Sequence, residues 1–249
     1  DVWNEATRQL VVHQEKGIHV FDLRSEGYPA WLASIEDPPP VLFVRGNAQA
    51  VSKSMGVAVV GTRDASRGGL EIARRIARVL GDHEWTVVSG LALGIDAAAH
   101  EGALQTTSPT IAVLAHGLEK ASPRQNARLA DQILEAGGAW VSEHALGVPA
   151  RKENFVQRNR VQIGLSAGSI IVEAALRSGS MAQANFCVRE KRKLFAVLPQ
   201  TPDNPLGLNC SGTQDMVLRL GATPIHSKGD YPEMLRLLAE AGLKLLARL

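Results

Sequence analysis

Between residues 55 and 200, short unbroken apolar runs alternate with stretches in which apolar residues recur every three or four positions. The runs Val57-Ala58-Val59-Val60, Thr86-Val87-Val88, Thr110 to Leu114, Ala139-Trp140-Val141-Ser142, Ser169 to Val172 and Lys193 to Val197 read as strands. Helical spacing runs from Leu70 to Leu80, Ile95 to Leu104, Ala127 to Ala136, Arg158 to Leu165 and Gln183 to Glu190. Strands that are apolar throughout are buried on both faces. Alternating them with helices requires right-handed crossovers and a parallel sheet. The fold class is therefore α/β, a doubly wound, mostly parallel sheet flanked by helices.

The flanks read differently. Consecutive prolines at 38–40 exclude helix and sheet interior, and Val41 to Val44 then reads as a short strand ending at Gly46. Residues 1–46 form a lead-in segment ahead of a core at 47–249. Pro199 to Gly212 reads as a long loop, and Lys193 to Val197 as the last clear strand. Glu233 to Leu249 reads as a Leu-rich helix that covers the sheet or joins a second copy.

Composition narrows the function classes. A chain of 249 residues allows one large domain, or one domain plus a small appendage. Two Cys cannot build a disulfide framework, and no Cys/His spacing suggests zinc. No apolar run reaches the roughly 18–20 residues of a membrane span. The chain opens on Asp1 with no signal-peptide pattern, as expected of a segment of a cytoplasmic protein. A net charge of only +2 means that any nucleic-acid site must come from local clustering.

In doubly wound sheets ligands bind beyond the carboxyl ends of the strands. Gly61-Thr62-Arg63 with Ser66 and Gly68 follows the strand at Val57. Glycine lets the backbone approach a ligand, the next helix offers free N–H groups, and Arg63 supplies a fork for phosphate. A tight turn with a solvated Arg is the plainer account. Neither GxGxxG nor a Walker A string is present, so NAD and ATP are unsupported and no cofactor is expected. Ser89-Gly90 ends the next strand. Asp96 and His100, four apart on one helix face, suit an acid–base pair or a hydrogen bond that fixes the helix start. Glu173 with Ser178-Gly179-Ser180 is an ordinary turn or a polar cradle opposite Gly61.

Basic residues cluster twice. Arg189, Lys191, Arg192 and Lys193 read as a solvated face. Arg151, Lys152, Arg158 and Arg160 enclose Phe155, a mixture that suits single strands, where phosphates need charge and bases need a stacking surface.

These strings together resemble the DNA-processing protein A (DprA/Smf) family. Val59-Val60-Gly61-Thr62-Arg63 with Ser66 and Gly68 resembles its phosphate-binding turn, and Ser89 to His100 its most diagnostic string. Phe155 to Arg160 is similar to its FPxRNR segment, and Val172-Glu173-Ala174 with Ser178 to Ser180 continues the match. Tyr28-Pro29, Pro40 to Gly46 and Ser211-Gly212-Thr213 with Gly221-Ala222 complete it.

The resemblance implies an extended Rossmann-like fold and a non-enzymatic, usually dimeric protein. It would bind single-stranded DNA in a basic pocket and load a RecA-type recombinase in transformation or related recombination. Arg63 would grip phosphate with Gly61, Thr62, Ser66 and Gly68, and Ser89 and Gly90 would line the same pocket. Arg151 or Lys152 would form a second basic wall ahead of Phe155. Arg158, Asn159 and Arg160 would reach DNA, or pair with carboxylates such as Glu143 or Glu173. Ser178, Gly179 and Ser180 would close the cradle. The chain departs from the family pattern at Ser122, Val156, Gln183 and Gln200. A nucleotide sensor or nucleotide glycosidic-bond hydrolase, with Glu173 or Asp96 as acid or base, is the alternative.

Overall fold

The computed structural model describes residues 2–247. In chain order the helices are α1 (Val2–Glu15), α2 (Ala30–Ala33), α3 (Ala48–Ser52), α4 (Arg67–Asp82), α5 (Ile95–Ala103), α6 (Ala127–Glu135), α7 (Lys152–Gly164), α8 (Gly179–Arg189), α9 (Ser211–Leu220) and α10 (Tyr231–Leu246). The strands are β1 (Ile18–Asp22), β2 (Val41–Gly46), β3 (Gly56–Val60), β4 (Thr86–Ser89), β5 (Thr110–Val113), β6 (Ala139–Ser142), β7 (Ser166–Ile171), β8 (Lys193–Val197) and β9 (Thr223–Ile225). They form one sheet in the order β1-β2-β6-β5-β4-β3-β7-β8-β9. Strands β1 and β2 pair antiparallel with each other, and β2 joins β6 antiparallel. All other pairings are parallel. The expected α/β class and mostly parallel sheet are what the structure has.

The apolar strands are buried on both faces, as their unbroken runs require. Val57 and Val59 of β3 pack with Ile72, Ile76 and Leu80 of α4 and with Met234 and Leu238 of α10. Val60 belongs to the opposite side, with Ile163 of α7 and Ala184 of α8. Helix α4 carries its apolar residues on one stripe, so it seals one sheet face and leaves its arginines to solvent.

The elements missed by periodicity have local reasons. Among the residues of helix α1 whose side chains are described, most are exposed and only His13 is buried, so no apolar stripe marks it. Strand β9 is three residues long and contains Pro224. Helix α9 begins at Ser211, inside the expected loop, and ends at Gly221, whose φ of 68° lies in the left-handed region that glycine tolerates. Helix α7 starts at Lys152, well ahead of Arg158. No Gly or Pro interrupts residues 151–157, and Glu153 suits the first turn. In the second basic cluster, Arg192 is buried and donates to the Trp31 carbonyl at 3.0 Å, so it is not part of a solvated face.

The chain runs outward from β3 through β4, β5 and β6 on one side, then through β7, β8 and β9 on the other. The order reverses between β3 and β7. A crevice must open there at the strand carboxyl ends, because successive helices leave to opposite faces.

Candidate functional site

The turn after β3 is held from both sides. The Thr62 N–H donates to the Glu173 carbonyl at 2.8 Å, across the β3–β7 reversal. The Thr62 carbonyl accepts from the Ile95 N–H at 3.2 Å. Gly94 makes this approach possible. Its φ is 79°, and a Cβ there would stand 2.4 Å from the Thr62 oxygen. Arg63 projects from this fixed turn and stays exposed.

A cleft of about 370 Å³ opens over the turn. That is within the size range of small-ligand sites. Helix α7 forms one wall with Phe155, Arg158, Asn159 and Gln162, whose spacing places them on a single helix face. Ser178, Gly179, Ser180 and Gln183 at the start of α8 form another. Gly61, Thr62 and Arg63 complete the rim, and Asp96 reaches it from α5. At the mouth the Arg63 guanidinium carbon lies 5.3 Å from the centre of the Phe155 ring. This cation–π contact orients a guanidinium beside an aromatic face.

Beneath the rim two buried ionisable groups influence each other through space without ion-pair contact. Asp96 and Arg158 are 4% and 7% exposed. Burial pushes the Asp96 carboxyl up, against the Arg158 charge and the N–H groups of Ala92, Gly90 and Gly61. Burial likewise lowers Arg158, while Asp96 favours its cation. An Arg158 Nη also donates to the Val113 carbonyl. Asp96 does not bond to His100. Its Oδ2 accepts from the Gly90 N–H at 3.1 Å, whereas His100 Nδ1 meets Thr110 Oγ1 at 2.8 Å. The α5 N-cap is Gly94, with no side-chain cap bond. The proposed pair is replaced by two separate anchors.

Glu173 is a joint. Its Oε2 accepts from the N–H and Oγ of Ser66, and its Oε1 from the Asn209 N–H at 2.7 Å. Ser66 in turn caps α4 by accepting from the Gly69 N–H.

The structure therefore brings Gly61, Thr62, Arg63, Phe155, Arg158, Asn159, Ser178, Gly179 and Ser180 around one cleft. The remaining candidates lie elsewhere. Ser66 is the cap just described, and Gly68 packs against the Leu206 backbone. Ser89 is fully buried and donates to the Val59 carbonyl, and Gly90 lies under Arg158. Arg151 and Lys152 are exposed at the start of α7, outside the cleft lining. Arg160 points away. It donates through both Nη groups to Glu143 at 2.7 Å and through Nε to Asp37 at 2.9 Å. Gln162 and Gln183 line the cleft although the sequence reading gave them no role. Gln162 stands seven residues after Phe155, the spacing that could have found it. Among the described residues no group of three or more His, Cys, Asp or Glu is placed to hold a metal ion. No described helix is long and apolar enough to cross a membrane.

The family DNA recombination-mediator protein A matches residues 19–236. This chain belongs to that family. Escherichia coli protein Smf is 46% identical over 187 residues, which cover 75% of this chain and 50% of Smf. The chain thus spans half the length of that relative. DNA processing protein A from Streptococcus pneumoniae superimposes with a TM-score of 0.76 at 36% identity, covering 88% of this chain and 76% of that one. The same protein from Helicobacter pylori, whose structure addresses its single-stranded DNA binding mode, gives 0.75 at 28% identity, covering 88% and 95%.

Proposed function

We propose that this family member binds single-stranded DNA in the Arg63–Phe155 cleft. Through that binding it protects single strands and loads a RecA-type recombinase, in DNA uptake or related recombination. It acts as a homodimer in the cytoplasm, without a cofactor and without catalysing a reaction of its own. The observation that carries this reading is the Arg63 guanidinium held 5.3 Å from the Phe155 ring at the carboxyl ends of the strands. Phosphates need the cation and unstacked bases need the ring. A duplex, whose bases are stacked inside, has no use for the ring. The binding mode of the Helicobacter pylori relative supports the same ligand. The carboxylates that the hydrolase alternative would need, Glu173 and Asp96, are engaged by N–H groups around them.

Fluorescence anisotropy of an oligo-dT strand and its duplex tests the proposal. Tight, salt-sensitive binding to the single strand over the duplex is the expected result, with a recombinase-loading assay to follow. Absence of single-strand binding at low salt would overturn it.

A further inference from the structure

The second basic cluster has no part in the cleft. It lies at the amino ends of the parallel strands β7 and β8, the opposite end of the sheet from Arg63. There a separate cavity of about 160 Å³ opens between the strand starts and α10. Ala167, Leu237, Ala241 and Leu245 form its aliphatic wall. Lys191, Arg192, Lys193 and Lys244 surround that wall with positive charge.

Most of this charge is uncommitted. Glu240, the carboxylate of the lining, is already bonded to Arg236. Among the described residues no carboxylate forms a salt bridge with Lys191, Lys193 or Lys244, and Lys193 acts on Glu233 only at a distance. The corner that carries the cluster is fixed. The Lys191 N–H donates to the Val188 carbonyl at 3.0 Å, and the Arg192 N–H to the Cys187 carbonyl at 2.9 Å. Arg192 is buried, and its Nη2 donates to the Trp31 carbonyl at 3.0 Å and to Ser34 Oγ at 3.2 Å. Its charge therefore stays beside the cavity while the three lysines move at the rim.

Size and lining select the occupant. Small-ligand sites begin at roughly 300 Å³, so this cavity admits one side chain rather than a nucleotide. None of the described residues lining it is aromatic, so bases find no stacking surface. A bare phosphate would meet the lysines and leave the aliphatic wall idle. An aliphatic side chain flanked by carboxylates uses both features. The apolar carbons fill the cavity as an anchor, and the carboxylates meet the rim.

We infer that this cavity is a docking site for an acidic segment of a partner protein, anchored by one aliphatic side chain. The inference goes beyond the single-strand reading and does not need it, since the two sites lie at opposite ends of the strands.

The test is anisotropy of a fluorescent peptide, one leucine between two runs of three aspartates, with the full chain. Replacing that leucine by serine should weaken binding at least about tenfold, the scale of burying one leucine side chain. Lys191→Glu with Lys244→Glu should weaken it by about tenfold or more, as like charges then face each other. Ala241→Leu fills the cavity and should bring the leucine peptide down to the level of the serine one. The exposed lysine variants keep the test readable if Ala241→Leu fails to fold. Oligo-dT should leave peptide binding unchanged. No peptide binding at low salt would overturn the inference, as would equal binding of the two peptides. So would variants that melt and bind like the parent. Displacement by oligo-dT would move the peptide to the Arg63 cleft, and displacement by equimolar pyrophosphate would make the site one for small anions. A sedimentation shift showing that the peptide splits a dimer would give the face to a second copy. Each of these three results also overturns the inference.

Discussion

The Arg158 guanidinium occupies the space where a Cβ on Gly90 would stand, 2.0 Å from its Nη1. The same group donates to Val113 and faces Asp96. A methyl group at residue 90 therefore separates a buried cation from its carbonyl and its counter-charge. Gly90→Ala is expected to destabilise the fold by about 2–3 kcal/mol, the scale of leaving a buried charged donor without its acceptor. A lowered urea midpoint at unchanged slope would show it. A parental midpoint would mean that the guanidinium has another place to go.

Arg63 is exposed and, among the described residues, is fixed only by its turn and the Phe155 contact. Arg63→Ala should leave stability within about 0.5 kcal/mol. It should weaken every single strand and lower the salt slope of binding by about one counterion. A titration of affinity against salt, run beside a thermal melt, reads both. An unchanged slope would remove Arg63 from the phosphate contacts.

Arg160 carries the opposite expectation. Its fork is taken by Glu143 and Asp37, and the side chain is 7% exposed. Arg160→Met should cost about 3–5 kcal/mol, because Glu143 is left half-buried without its partner. The protein that remains folded should bind single strands as the parent does. A selective loss of affinity at full stability would make Arg160 a DNA contact.

His100 makes the fold acid-sensitive. Thr110 Oγ1 gives its hydrogen to the Val87 carbonyl, so His100 Nδ1 must be the donor in their 2.8 Å bond, and Nε2 is bare. Burial, reinforced by the Arg158 charge, pulls its pKa from 6.5 to about 3. The unfolded chain therefore binds a proton that the folded chain refuses. Stability from this group is intact above about pH 6.5 and falls as pH drops toward 3. The loss is on the order of 1.4 kcal/mol per pH unit. Urea midpoints across that window should flatten in His100→Asn relative to the parent, and equal slopes would assign the acid sensitivity elsewhere.

Much of the sheet was legible because a strand buried on both faces leaves an unbroken apolar run. Val57 to Val60 and Ala139 to Ser142 are such runs, and both are strands. Gly61, Arg63 and Phe155, which line the cleft, were legible as candidates because strand ends and a basic aromatic stretch carry local signals. Arg158 and Arg160 looked alike in sequence, yet one supports the cleft and the other faces away. What separates them is helix rotation and the partners Asp96 and Glu143, which come from distant segments. Gln183 stood out in the sequence only as a departure from the family pattern, since an amide becomes notable chemically only when its surroundings leave it unbonded.

Glu173 gathers Ser66, Asn209 and its own strand end into one knot, although long stretches of chain separate them. The irregular segment before Asn209 looks from the sequence like a tether that could be cut or lengthened freely. It is instead a mooring line. Opening the chain between Pro202 and Leu206, as a circular permutant would, leaves Asn209 attached on one side only. The slack would pass through Glu173 to Ser66 and to the turn that holds Arg63. New termini placed there would be felt at the cleft, so the 199–210 segment behaves as part of its frame.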